Sequence, residues 1–387
     1  MESGQLRKLN LCYAGIQSLY WAGFAAIWAF LSVLLLYRGF SNSQIGTVSA
    51  LALLMPLAVQ PVLADRNRRF TSRRLAMALT GLLPLCAVGL WCSAGSMAVT
   101  AALYVLVGIS LTATAPFHSA MAMELQQHGV ALNYGLSRGL GSACYAASVL
   151  VLGVVVERYA PTAVLPVFAG EMLLLLLLTW RFRASPTMEA TAGSGPVLSV
   201  GQLLRRYPAY TWLLVGCALL MACHSATCTY MIHIVGKVGG SESMMGSALA
   251  VAAFLELPAM GLFSRVRRKV PLAWLLIFCA AFFVIRAGLF WAARSVPVLY
   301  LAAALDFFEY GIFIPATVYY VAEHIDPANQ VKGQSLMGMA TTGVGSAFGN
   351  FVSGQLLDRT GVNGMLLFCS VCAAVGLLVV IYAVRKK

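Results

Sequence analysis

Long apolar runs, separated by short polar segments, extend along almost the whole chain. A helix needs about 20 apolar residues to cross the hydrocarbon core of a bilayer. The run after Arg7 and Lys8 is longer than the apolar part of a secretory signal, so it predicts a retained first helix. Twelve membrane-spanning helices are predicted, over residues 12–37, 44–64, 75–95, 97–123, 133–156, 162–181, 210–232, 243–263, 271–293, 297–321, 334–357 and 362–384.

The segment 182–209 is the only long polar stretch between these runs, and it carries Gly, Pro, Ser and Arg residues. Such residues interrupt regular structure, so we expect a linker here. Six predicted helices precede it and six follow it. The sequence therefore predicts an all-α membrane protein with twelve transmembrane helices in two six-helix bundles. The bundles are residues 1–181 and 210–387, joined by a cytoplasmic linker over residues 182–209.

The composition excludes a soluble protein. Apolar residues make up 60% of the chain and charged residues only 10%, whereas a soluble domain carries roughly 25% charged residues. The net charge of +13 follows the membrane topology: 19 of the 26 Lys and Arg residues fall in segments predicted to be cytoplasmic. Such a bias sets orientation in the bilayer. We expect a multi-pass protein of a bacterial inner membrane with both termini in the cytoplasm, and the basic charge requires no nucleic acid.

Short motifs recur at an offset of about 200 residues. Residues 65–69 match residues 264–268, residues 135–137 match residues 333–335, and Gly153 with Glu157 matches Gly354 with Asp358. Two sets of six helices repeated in the same orientation are the arrangement of the two halves of major facilitator transporters.

The loop after the second predicted helix carries the first family motif. Residues 61–69, PVLADRNRR, resemble the G-x-L-A-D-R-x-G-R-R loop of the major facilitator superfamily, with Pro61 and Arg68 in place of its glycines. This resemblance covers essentially the whole chain. It implies that Asp65, Arg66 and Arg69 belong to a gating loop.

Within that superfamily the chain is most similar to the lactose permease-like group of oligosaccharide and nucleoside proton symporters. The matching pieces are residues 134–138 (YGLSR), Glu256 with Leu257, Arg286 and Glu309. The resemblance implies that Arg138 binds sugar and Glu256 couples transport to protons. It also implies that Arg286 lies near the proton site and that Glu309 is the residue protonated.

Several positions depart from that group. Ala120 occupies the position of the group's sugar-binding acid, and the nearest acid is Glu124, one turn away. Tyr145 occupies the position of the group's stacking Trp. Ala303 and Asp306 stand where the galactoside symporter has a Lys and a His. Residues 255–260 also resemble sugar efflux transporters. The solute and the direction of transport therefore stay open.

Four charged residues fall inside predicted spans of the second half: Glu256, Arg286, Asp306 and Glu309. A charge at the bilayer centre costs about 2.5–3.5 kcal/mol on insertion scales, so such residues face a cavity or pair with one another. Three acids around one Arg leave excess negative charge that a bound proton relieves. This pattern predicts a proton-coupling site. The alternative is a structural salt bridge between helices.

Arg138 is the only basic residue inside a predicted span of the first half. Its planar guanidinium suits paired hydrogen bonds to a polar solute; the alternative is a structural pair with Glu124. Aromatic and polar side chains are the mixture expected in a pocket for a polar ligand, although each of them could simply pack between helices. The further candidates for a solute pocket are Gln17, Tyr20, Trp21, His118, Tyr145 and His224.

The sequence shows no nucleotide-binding loop and no hydrolase or metalloprotease motif. Cys369 and Cys372 have CxxC spacing but no second ligand pair, so no metal is expected. We therefore predict no enzyme activity and no cofactor. The predicted function is alternating-access transport of a sugar, oligosaccharide or nucleoside in symport with protons, by a monomer in the lipid bilayer. Alternatives are proton-driven efflux of sugars or drugs and a non-transporting membrane sensor.

Overall fold

The computed structural model describes residues 3–67, 70–93, 95–127, 130, 132–182 and 198–386, and these contain helices and no strand. Apolar runs form helices because a backbone in lipid must satisfy its own hydrogen bonds. The helices of the first half are α1 Ser3–Trp28, α2 Leu31–Tyr37, α3 Asn42–Asn67, α4 Ser72–Cys92, α5 Met97–Gln127, α6 Tyr134–Arg158 and α7 Val164–Arg181.

The second half begins with a short helix that precedes the apolar spans. Its helices are α8 Val200–Arg206, α9 Pro208–Thr229, α10 Met231–Gly236, α11 Glu242–Arg267, α12 Leu272–Ala292, α13 Val296–Ala304, α14 Tyr310–His324, α15 Gln330–Gly338 and α16 Ser346–Arg385. Short 3-10 turns lie at Pro161–Ala163, Leu305–Phe307 and Pro327–Asn329, and a π-helix lies at Met339–Gly345.

Ten helices in the described part are long and apolar enough to cross a membrane, or eleven if α1 and α2, bent by 43°, form one span. The last stretch, Pro327–Arg385, has 59 residues, or about 88 Å at the helical rise of 1.5 Å per residue. It contains Gly361 at φ 72°, outside helical geometry. The all-helical membrane fold is as predicted, and the count of twelve stays a prediction.

Two predicted spans are interrupted. The predicted span over 297–321 is confirmed as the stretch Val296–His324. Within it α13 ends at Ala304 and α14 begins at Tyr310, with a 3-10 turn between them. Arg286 Nε donates to the carbonyl of Ala302 at 3.2 Å; that carbonyl would otherwise accept from the amide of Asp306 in a continuous helix. The predicted span 12–37 is likewise broken, between α1 and α2.

The chain divides into two compact units. Unit 1 comprises Met1–Phe40, Leu51–Glu189 and Glu242–Ala250; unit 2 comprises Ser41–Ala50, Ala190–Ser241 and Val251–Lys387. In unit 1, α1 packs along α6, and in unit 2, α9 packs along α16. Most of the predicted linker, residues 183–197, lies outside the described residues. The two predicted bundle boundaries remain predictions.

The repeated Gly and acidic residues make equivalent contacts in the two units. In unit 2, the Asp358 carboxylate accepts hydrogen bonds from the amides of Asn42 (3.1 Å) and Ser43 (2.7 Å) at the start of α3. In unit 1, the Glu157 carboxylate accepts from the amide of Ser243 (3.1 Å) at the start of α11. Each acid therefore satisfies amides that a helix start leaves without helical partners.

Candidate functional site

The side chain of Arg286 on α12 is the centre of a charged cluster in unit 2. Its Nη1 donates to Glu309 Oε1 at 3.0 Å and to Oε2 at 3.1 Å, and it lies 3.0 Å from Asp306 Oδ1. All three residues are at most 2% exposed. The contact with Asp306 is an ion pair by distance without hydrogen-bond geometry. The predicted group is therefore brought together, with Glu309 as the better-bonded carboxylate.

The break between α13 and α14 places both acids beside Arg286. Asp306 lies in the 3-10 turn, and Glu309 precedes the first residue of α14 with non-helical backbone angles of φ −83° and ψ −93°. The carbonyl of Ala302, near the end of α13, is held by Arg286 Nε. The guanidinium thus fixes the backbone of the break as well as the two carboxylates.

His224 on α9 completes this cluster. Its Nδ1 lies 3.0 Å from Glu309 Oε1 and 3.7 Å from Asp306 Oδ1. The imidazole stacks on the ring of Tyr310 with centroids 4.5 Å apart and an interplanar angle of 9°. The sequence placed His224 among the solute-pocket candidates, whereas the structure places it against the acids.

Glu256 on α11 lies near Asp306 and interacts with it electrostatically. The approach is close because Gly311 of α14 has no side chain: a Cβ there would lie 2.6 Å from the Cβ of Ala259. The cluster thus holds three carboxyl groups, one guanidinium and one imidazole. Protons on the imidazole or a carboxyl are the simplest means of balancing its charge.

The ligand atoms of His224, Asp306 and Glu309 all lie within 4.8 Å of one another, close enough for a metal ion. However, Arg286 Nη1 lies 3.0 Å from an oxygen of each acid. A divalent cation in the same space would be repelled by the guanidinium, which already pairs with both carboxylates. This donor set suits a proton and does not fit a resident metal.

Arg138 of α6 lies over Trp21 of α1 in unit 1. Its guanidinium carbon is 3.9 Å from the centroid of the Trp21 ring, and its Nη1 donates to Ser142 Oγ at 2.7 Å. The two helices approach closely at Gly141, where a Cβ would lie 2.6 Å from Trp21 Cδ1. The structure thus pairs a planar cation with a large aromatic face, a combination that can hold hydroxyls and stack an apolar ring face.

Gln17 and Tyr20, predicted pocket residues, are buried with 4% and 3% exposure. Gln17 Nε2 donates to Tyr13 Oη at 2.9 Å, and Tyr20 Oη donates to the carbonyl of Leu111 at 3.1 Å. The Tyr20 ring contacts His118 edge-on, with centroids 5.6 Å apart. Both ring nitrogens of His118 are buried without a hydrogen-bond partner in the described part of the chain.

The other candidate residues in the described part of the chain lie on α3, α5 and α6. Glu124 Oε1 accepts from Ser72 Oγ at 2.6 Å, and Tyr145 is half-buried on α6. Arg66 is exposed in the last turn of α3. The side chain of Asp65 and all of Arg69 lie outside the described residues, so the gating-loop hypothesis stays a prediction.

Sequence reasoning did not single out Ser142 or Tyr310, and it did not predict the contact of His224 with the acids. Tyr310 follows Glu309 directly, and Ser142 is one helical turn after Arg138. Both positions are neighbours of predicted residues, and residues four apart share a helix face. No pattern in the sequence, by contrast, joins His224 to acids 82 and 85 positions away.

Comparison with known proteins identifies relatives along the full length of the chain. A family model described as the MFS_1-like family matches residues 10–383. The chain is 26% identical over 366 residues to a maltose permease of Geobacillus stearothermophilus, covering 94% of this chain and 92% of that protein. It is 21% identical over 180 residues to a putative sugar efflux transporter of Deinococcus radiodurans, covering 46% of each chain.

The fold is also that of a solved transporter. The crystal structure of nucleoside transporter NupG superposes with a TM-score of 0.78 and 15% identity, covering 98% of this chain and 99% of that one. At 15% sequence identity, this similarity establishes a shared fold.

Proposed function

Because the chain belongs to the MFS_1-like family of major facilitator transporters, we propose that it carries a sugar, oligosaccharide or nucleoside across a cell membrane by alternating access, in symport with protons. The relatives support this solute class: one is a maltose permease, and a nucleoside transporter shares the fold. In this proposal both chain termini lie in the cytoplasm. Residues 1–181 and 210–387 are the two bundles.

The composition of the buried cluster is the observation that supports proton coupling. Glu309 and Asp306 share one guanidinium nitrogen of Arg286, and Glu256 adds a third carboxyl group. One cation cannot neutralise three carboxylates in a low-dielectric site, so protonation changes the balance of charges there. A change in that balance alters the attraction of α12 for the α13–α14 break. Binding or release of a proton thereby shifts the equilibrium between the conformations of the carrier.

The Arg138–Trp21 pair supports a polar ring-shaped solute. In this proposal the solute stacks one face on Trp21 while Arg138 swings to its hydroxyls, because a guanidinium donates two parallel hydrogen bonds. Small-ligand sites combine aromatic walls with a few placed polar groups in this way. The solute therefore competes with the cation–π contact seen at 3.9 Å.

Transport by purified protein in proteoliposomes tests this function. Vesicles loaded with unlabelled maltose, a longer maltooligosaccharide or a nucleoside should take up the labelled compound by counterflow. An imposed pH gradient, acid outside, should then drive net accumulation of the same compound. Neutral amino acids serve as the control solute class. Counterflow of no sugar or nucleoside, with an intact folded protein, contradicts the proposed solute class.

A second candidate is proton-driven efflux, which is favoured by the similarity of 46% of the chain to a putative sugar efflux transporter. Uptake and efflux differ in whether solute and proton move in the same direction. Vesicles with acid inside should export solute if the carrier is a symporter and accumulate solute if it exchanges solute for protons. The sign of the pH-driven flux decides between the two.

A further inference from the structure

A cavity of about 580 Å³ lies in unit 2, among α11, α12 and the start of α14. Thirteen residues line it, and all of them are apolar. The volume is within the range of about 300–1,000 Å³ found for small-molecule sites. A sugar or nucleoside there would lose hydrogen bonds to water without gaining protein partners. The cavity therefore suits an apolar occupant and excludes the proposed solute.

Side chains at the edge of this cavity are exposed: Trp274 by 62%, Phe278 by 42% and Leu262 by 42%. On a membrane-spanning helix, exposed apolar side chains contact lipid. The lining runs along the chain from Val270 to Ala281, eleven positions, or about 16 Å at the helical rise. Half of a hydrocarbon core of ~30 Å is a similar distance. The cavity thus has the depth of one leaflet and is open to its acyl chains.

Cationic side chains border the shallow end of the cavity, beside the lining residues Val266 and Val270. They are Arg265, Arg268 and Lys269, and all three are exposed. Among the described residues none of these three side chains has an ion-pair partner, whereas Arg267 is held by Glu323 at 2.7 Å. An apolar cavity one leaflet deep, with unneutralised cations at its headgroup end, matches an amphiphile with an anionic head.

We propose that this cavity binds an acyl chain of an anionic phospholipid, with the phosphate held by Arg265, Arg268 and Lys269. Arg and Lys donate charge-assisted hydrogen bonds to phosphate oxygens, which are stronger than neutral ones. At its deep end the chain contacts Phe307 and Phe308, which lie between Asp306 and Glu309 in the sequence. The lipid therefore packs behind the α13–α14 break. The site requires neither a particular solute nor proton coupling.

Quenching of Trp274 fluorescence by brominated lipids tests the proposal. The protein is reconstituted in phosphatidylcholine with increasing fractions of brominated phosphatidylglycerol, and the reverse mixture measures brominated phosphatidylcholine. Subtracting the signal of Trp274→Phe isolates Trp274 from the other six Trp residues. We expect about a tenfold preference for the anionic lipid, since each basic residue near a membrane surface adds to its attraction. Equal quenching by both lipids overturns the proposal.

Two variants separate a defined site from general surface charge. Replacing the three cations Arg265, Arg268 and Lys269 by Gln should abolish the preference, and exchanging Arg for Lys and Lys for Arg should preserve it. The matched control removes two Arg and one Lys elsewhere on the predicted cytoplasmic side: Arg7, Lys8 and Arg385. An equal loss in this control shows attraction to net charge alone and overturns the site.

Filling the cavity is the third arm of the experiment. Ala281→Phe places a ring where the acyl chain would lie and leaves every charge in place. We expect it to reduce Trp274 quenching by the anionic lipid severalfold. An unchanged preference contradicts the cavity as the binding place. If Ala281→Phe instead changes the oligomeric state and not the lipid preference, a second copy covers the cavity and the proposal is wrong.

Discussion

Replacing Glu309 by Gln removes the best-bonded carboxylate of the buried cluster and mimics its protonated form. Exchange requires only that the loaded, protonated carrier reorients, so Glu309→Gln should keep solute binding and exchange. Net accumulation also requires the empty carrier to release a proton, which Gln cannot do. The variant should therefore exchange solute at nearly the parent rate and accumulate none.

The size of the effect follows from the contacts. Arg286 donates to both oxygens of Glu309, at 3.0 and 3.1 Å, and breaking a buried ion pair costs 3–5 kcal/mol. Asp306 Oδ1 remains 3.0 Å from the same nitrogen, so we expect the lower end, about 3 kcal/mol of folding free energy.

The effect on transport is larger. With one proton per solute, the parent accumulates solute about tenfold per pH unit of gradient, since 1.4 kcal/mol corresponds to a factor of ten. The variant should reach a ratio of one.

The assay compares pH-driven uptake with equilibrium exchange in the same proteoliposomes. Glu323→Gln is the matched control, because Glu323 also pairs with an Arg, Arg267, at 2.7 Å, but in an exposed position. Exposed pairs contribute little, so this control should accumulate solute normally. If Glu309→Gln accumulates solute as well as the parent does, Glu309 is not the coupling residue. Asp306 or Glu256 would then carry the proton.

Further predictions concern the solute site, the helix caps and the topology. Arg138→Lys should abolish solute binding in a folded protein, since Lys keeps the charge but loses the planar fork; normal binding by equilibrium dialysis would make Arg138 structural. Asp358→Ala should cost about 1–2 kcal/mol of stability and speed amide exchange at the start of α3, because a helix cap is lost. Glu157→Ala should likewise speed amide exchange at the start of α11, because Glu157 accepts from the amide of Ser243; unchanged exchange there would contradict this. Reporters fused after residues 70, 268 and 387 should report cytoplasm, and those after 40 and 238 the outside; one inverted reporter refutes the topology.

The fold class and the family were predictable because both depend on features repeated over the whole chain. Hydropathy marks the apolar spans, and the loop motif with the recurring motifs indicated the major facilitator superfamily, which the family match confirms. The division into two related halves stays a prediction. The matched residues Glu157 and Asp358 even make equivalent helix-capping contacts. The apolar spans can be recognised in a single sequence because the bilayer imposes the same requirement on every helix that crosses it.

The details of the charged cluster could be predicted only in part. Three acids and one Arg inside apolar runs were sufficient to expect a cluster, since isolated charges are costly in lipid. The break between α13 and α14 contains no proline or glycine before Gly311, so no local signal predicts it. His224 joins the acids through the packing of α9, and contacts between distant helices leave no periodic pattern in a single sequence.

The central claim, that solute and proton move together through the Glu309 cluster, is tested most directly by measuring solute-driven proton movement. Solute is added outside weakly buffered proteoliposomes with no initial pH gradient, and the external pH is recorded. The external solution should become more alkaline as solute enters, and Glu309→Gln should abolish this change while exchange continues. Entry of solute into parent vesicles without any alkalinisation would contradict proton symport.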